Sequence, residues 1–90
     1  MWSVIVEELV GFGDGRRWQL SRLEAVPERE AACRRARELA HRHVPEHPMS
    51  VRKRTVHRRD DDEFLVVVRG RTQDHHFRVG VWLEDEPLPG

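Results

Sequence analysis

Only one stretch of this chain carries apolar residues at helical spacing: "PEREAACRRARELAHRHVP", residues 27–45. Ala32, Cys33, Ala36, Leu39, Ala40 and Val44 recur three and four positions apart, which gives one stripe of mostly small side chains. Pro27 suits a first helical position, Glu28 and Glu30 fall at the positive end of the helix dipole, and His41, Arg42 and His43 fall at the negative end. Pro45 and Pro48 cannot continue the helix, so it is expected over 27–44. The stripe is narrow and small, so the helix can lie close on a sheet. A single helix, however, covers only one face of it.

The rest of the chain is strand or turn. "WSVIVEELV" and "RRWQLSRLEAV" flank the Gly-rich "GFGDG", which includes Phe12, and read as a hairpin over 1–26. Val4, Ile5 and Val6 in succession suggest a strand covered on both faces there, hence one inside the sheet. The second half reads as three strands within 50–84, near 50–58, 63–72 and 75–84, followed by a polar tail at 85–90. A two-residue turn at Gln73 and Asp74 would set Phe64 opposite Leu83, Val66 opposite Val81, Val68 opposite Val79 and Gly70 opposite Phe77. Every large apolar residue of that set then shares one face. The expected fold is α+β: one domain over 1–90, two layers, an antiparallel sheet of about five strands in the order β-β-α-β-β-β, and the helix on one face.

On the other face the same register places Leu65 beside Trp82, Val67 beside Gly80, Arg69 beside Arg78 and Arg71 beside His76. Trp and Arg are enriched in interface cores, and opposed arginines repel unless a carboxylate or anion lies between them. Leu65, Val67, Trp82, Arg69, Arg71, Arg78 and His76 are therefore the candidate interface or ligand-binding residues. Glu7 is a candidate to neutralise Arg69 or Arg78. The expected function is a small non-enzymatic interaction module, homodimeric or bound to a protein partner through this helix-free face.

Charge is balanced overall but segregated: residues 31–59 carry a net +7 and residues 60–90 a net −5. A neutral total argues against an obligate coat on nucleic acid, while the segregation leaves room for a local anion site. Fifteen of the sixteen basic residues are Arg, and Asn and Tyr are absent. That skew fits high-GC codon usage, which reduces the weight of arginine as evidence for RNA binding. The stretches "HPMS", "FLVVVRG" and "HFRVGVW" resemble those of small uncharacterised proteins of high-GC actinobacteria; the resemblance implies a host class and no activity.

The alternative function runs through the basic strand, with Arg52, Lys53, Arg54, His57 and Arg58 as nucleic-acid contacts. "RKRTVHRR" is similar to a strand of the RelE-like RNA-cleaving toxins, in which His57 would act as an acid and Arg54 and Arg58 would stabilise charge. The element order departs from that superfamily in its extra N-terminal hairpin and single helix, so no catalytic residue carries over. The strand also lacks stacking aromatics, since Trp2, Phe12 and Trp18 fall in the first hairpin. "DDDE" after it reads as its turn.

Other chemistries find no support in the sequence. His41, His43 and His47 lie near a helix end, and His41 and His43, two apart, point to different sides. His75 and His76 alternate faces on a strand, so no metal ligand is assigned. The lone Cys33 permits no intrachain disulfide and, on the helix stripe, is expected to be buried and inert. No cofactor motif is present. No apolar run reaches the roughly 20 residues of a membrane span, and the first ten lack a signal-peptide pattern, so a cytoplasmic location without membrane contact is the expectation.

Overall fold

The computed structural model describes residues 1–11, 13–45 and 51–89. Strands β1 (Trp2–Val10) and β2 (Arg17–Val26) precede helix α1 (Arg29–Arg42), and β3 (Val51–Asp60), β4 (Glu63–Gly70) and β5 (Asp74–Leu83) follow it. All strands pair antiparallel in one sheet of order β2-β1-β5-β4-β3, with α1 on one face. This is the expected α+β architecture. The centre of the sheet is β5, because β1 pairs with it across the whole chain.

Alternation along the strands sends Val4 and Val6, Phe64, Val66 and Val68, and Phe77 and Val79 toward the helix, where all are buried. Ala32, Ala36, Leu39 and Ala40 meet them from α1. The three alanines let the helix backbone approach the valine surface closely, so this thin core is filled without large helix side chains. Helix α1 lies mainly over β5 and β1 and reaches β2 and β3 least.

The first connection requires glycine. Gly11 has φ +96°, and a Cβ there would sit 2.4 Å from the carbonyl oxygen of Gly15. A short 3-10 turn at Gly13–Gly15 then leads into β2. Phe12 lies outside the described residues, as do His47, the other residues of "HPMS" and the expected strand start at 50.

Several boundaries and one register differ from expectation. The helix starts at Arg29 rather than Pro27, with Glu28 extended at its N-cap and its carbonyl accepting from Ala32 N at 3.0 Å. It ends at Arg42, so Val44 lies beyond it and is exposed rather than part of the stripe. Cys33 is half-buried, not buried, because it stands at the stripe's edge, and desolvation pushes its thiol pKa up. Val4–Val6 do belong to an interior strand, yet Ile5 is only half-buried on the side away from α1.

The register correction is the largest. Phe64 faces Val79, Val66 faces Phe77, Leu65 faces Arg78, Val67 faces His76 and Arg69 faces Asp74. Each β4 residue thus meets a partner four positions earlier along β5 than a turn at Gln73 and Asp74 would give. The chain turns instead through Arg71–Gln73, and Gly70 N donates to Gln73 O at 2.8 Å. An even slip keeps every side chain on its expected face while changing every partner. Arg69 and Arg78 are therefore not opposed, and Arg71 sits in the turn rather than opposite His76.

Candidate functional site

The helix-free face gathers side chains from all five strands. The pairings lay out a row across its middle in the order Leu20, Glu7, Arg78, Leu65, His57. Toward the β3–β4 turn the next row is Leu23, Ile5, Gly80, Glu63. On the other side lie Trp18 and Leu9, then His76, Val67 and Thr55. Leu20 is 56% exposed, Leu23 57%, Leu65 43% and Trp82 61%. Ile5, Leu9, Trp18 and Val67 are half-buried around them.

Arg78 anchors this face. Its Nε donates to Glu7 Oε1 at 3.0 Å, and its guanidinium lies over the Trp18 ring at 4.0 Å from the centroid. The two-strand reach from Glu7 on β1 to Trp18 on β2 makes the ion pair and the stacking simultaneous. A planar guanidinium suits both at once, whereas an ammonium would not. The carboxylate expected for Arg69 or Arg78 is thus Glu7, and it serves Arg78.

Trp82 closes one end. The absence of a side chain at Gly80 lets its indole lie back along β5, such that a Cβ at Gly80 would meet the indole Nε1 at 3.0 Å. Between Trp82, Arg78, Glu7, Asp62 and Glu63 is an open cleft of about 380 Å³. Val81 N donates to Asp62 O at 3.0 Å, tying the β3–β4 turn to the neighbouring strand and fixing that wall.

Among the sequence-expected residues, the structure brings Leu65, Val67, His76, Arg78 and Trp82 onto one face. Arg69 shares it at the far end beside Asp74, and Arg71 is an exposed turn residue. Leu20, Leu23, Ile5, Leu9 and Trp18 belong to the same surface and were not expected there. Their own alternation was visible, but the β1–β5 adjacency that unites the two halves joins residues far apart in sequence.

The basic strand does not form a single platform. Arg54 points to the helix side, donating from Nη1 to Ala40 O at 3.3 Å and from Nη2 to His43 O, so it caps the C-terminus of α1. Burial pulls its pKa down, and its guanidinium lies 5.6 Å from the Phe77 ring centroid. Arg58 lines a groove against α1 with Arg34 and Arg37, whereas His57 is on the helix-free face with Lys53. The ladder shifts register between Val51 and Lys53 and between Arg58 and Asp60, leaving Arg52 and Arg59 unpaired in it. Bulges and a high density of positive side chains are features that protect an edge strand from pairing with other chains.

On the helix side, Glu8 is buried and accepts from Ser21 Oγ, while His43 Nε2 lies 3.1 Å from the same carboxylate oxygen. Ser21 is the extra residue where the β1–β2 register shifts, which is how its side chain comes to the helix side beside Glu8. His43 packs edge-on against Phe77 at 5.0 Å, and its Nδ1 is buried without a hydrogen-bond partner among the described residues. Both Ser21 and His43 are held by the carboxylate rather than by each other, so the trio lacks the nucleophile–base contact of a hydrolytic triad. Asp60, Asp61 and Asp62 bring carboxylates within 4.8 Å of one another. The Arg29 guanidinium already pairs there with Asp61 at 3.1 Å and Asp62 at 3.3 Å.

No helix among the described residues is long and apolar enough to cross a membrane. Comparison with family models, curated proteins and solved structures returns no match.

Proposed function

We propose that this protein is a non-enzymatic interaction module that self-associates through its helix-free sheet face. The observation that carries the reading is the face itself: leucines from β2 and β4, with Trp82 of β5, stand exposed around an arginine that is already ion-paired and stacked. Exposed apolar side chains gathered on one face, with Trp82 and a stacked, ion-paired Arg78 among them, include the residue types that carry most binding energy in interfaces. The four strands that carry the apolar side chains, spaced about 4.8 Å apart and eight to ten residues long at about 3.3 Å each, give a face of roughly 500–630 Å², near the lower end of what one partner of a standard interface contributes.

A sedimentation-equilibrium series tests it. The wild type is expected to dimerise at micromolar concentration, and Leu65→Arg, which sets a charge beside Arg78 in the middle of the face, to remain monomeric while keeping its fold. A wild type that stays monomeric at high micromolar concentration would refute self-association. Salt-sensitive RNA binding at low ionic strength with no dimer would move the assignment to the basic strand at 52–58 instead.

A further inference from the structure

From the order of chemistry across the face we infer that the partner copy is related by a two-fold axis running along the strands between β1 and β5, so that Glu7 of each chain meets Arg78 of the other. This rests on the proposed self-association and specifies its geometry. The central row reads Leu20, Glu7, Arg78, Leu65 on β2, β1, β5 and β4, which is apolar, acid, base, apolar. A two-fold axis between the middle pair superimposes these four positions on their own reverse and leaves His57 of β3 outside the overlap. Leu20 then lies over the partner's Leu65, and Glu7 lies over the partner's Arg78.

The inner positions of the neighbouring rows agree with the same axis, while at the outer ones Leu23 comes over Glu63 of the other copy. Ile5 of one copy comes over Gly80 of the other, where that copy's Trp82 indole lies and offers an apolar contact, and Trp18 comes over Val67. An axis running across the strands would instead set Arg78 over Arg78 and Glu7 over Glu7, opposing like charges at the centre. Strands of the two sheets stay aligned under the first arrangement, which is a common way for two sheets to pack face to face. Each chain's own Glu7 and Arg78 lie 3.0 Å apart on this surface, so under this axis two acids and two bases meet at the centre, each guanidinium also stacked on its own Trp18.

Charge reversal tests that the two charged centres meet, and cross-linking tells the two axes apart. Glu7→Arg makes the centre wholly basic, and Arg78→Glu makes it wholly acidic. Each variant alone is expected to lose self-association by more than about tenfold, since like charges then face each other, and an equimolar mixture of the two is expected to recover a heterodimer. Both side chains are partly exposed, and circular dichroism checks that each variant folds. Cross-linking gives a second reading that does not depend on charge. Leu20→Cys mixed with Leu65→Cys, both in a Cys33→Ala background, is expected to form a mixed cross-link with a short bismaleimide in preference to either homodimer. Within one chain those positions are three strand spacings, about 14 Å, apart, and the two copies of Leu20 are equally far apart along the sheet under this axis. A wild type that dimerises while the charge-reversed mixture does not, or while cross-links join like positions, overturns the axis and leaves the proposed self-association standing. A monomeric wild type removes both.

Discussion

Arg78 shows how far a single side chain can be understood from sequence and where that stops. Its face follows from alternation along "HFRVGVW", and its need for a carboxylate follows from the cost of opposing arginines. That the carboxylate is Glu7, and that Trp18 supplies a stacking surface, depends on two strands from the other half of the chain. His43 was harder still. Read as a helix-end residue facing the dipole, it instead ends up buried between Glu8 and Phe77, because the chain turns inward after Arg42. Glu8→Ala removes the partner of both His43 and Ser21 and is expected to lower stability by about 2 kcal/mol. A urea midpoint unchanged from the wild type would show that this buried carboxylate contributes nothing net.

Between elements, one tie outside the core is Arg35 of α1, which grips Glu24 of β2 with two hydrogen bonds of 2.8 and 3.0 Å. Arg22 adds a third at 3.0 Å. The Arg35 guanidinium, and secondarily Arg22, hold the Glu24 carboxyl down at about 2 against an ordinary 4.5. A carboxyl depressed on folding stabilises the folded state fully above its unfolded pKa, and this contribution is lost as pH falls from there through about 2. Glu24→Gln is therefore expected to be less stable than the wild type at pH 6 by up to about 1 kcal/mol, since the pair is partly exposed, with the gap closing between pH 4.5 and 2. A gap that is independent of pH would assign the loss to packing. The β4–β5 pair shows why elements were legible when their partners were not. Parity fixed the faces of Phe64, Val66, Phe77 and Val79, but nothing in "RTQD" singles out a turn, and two registers four positions apart satisfy the same parity.

For the whole molecule, the α+β class followed from a count: one helical stripe among several strand-forming runs. The order β2-β1-β5-β4-β3 did not, because the β1–β5 pairing is set by the shared helix-side core rather than by any local signal. That pairing merges two modest apolar surfaces into one. The basic strand, the most conspicuous stretch of the sequence, proves to be an edge whose arginines are divided between helix capping, bulges and the α1 groove. Its acids turn back toward Arg29 and steady the opposite corner. The helix-free face is thus expected to be covered by a second copy, and hydroxyl-radical footprinting across a concentration series reads that face most directly. Oxidation of Trp82, Leu20 and Leu65 is predicted to fall from low to high micromolar protein while that of Val44, exposed just beyond α1, stays constant. Unchanged oxidation of Trp82 and both leucines, or protection confined to residues away from that face, would contradict it.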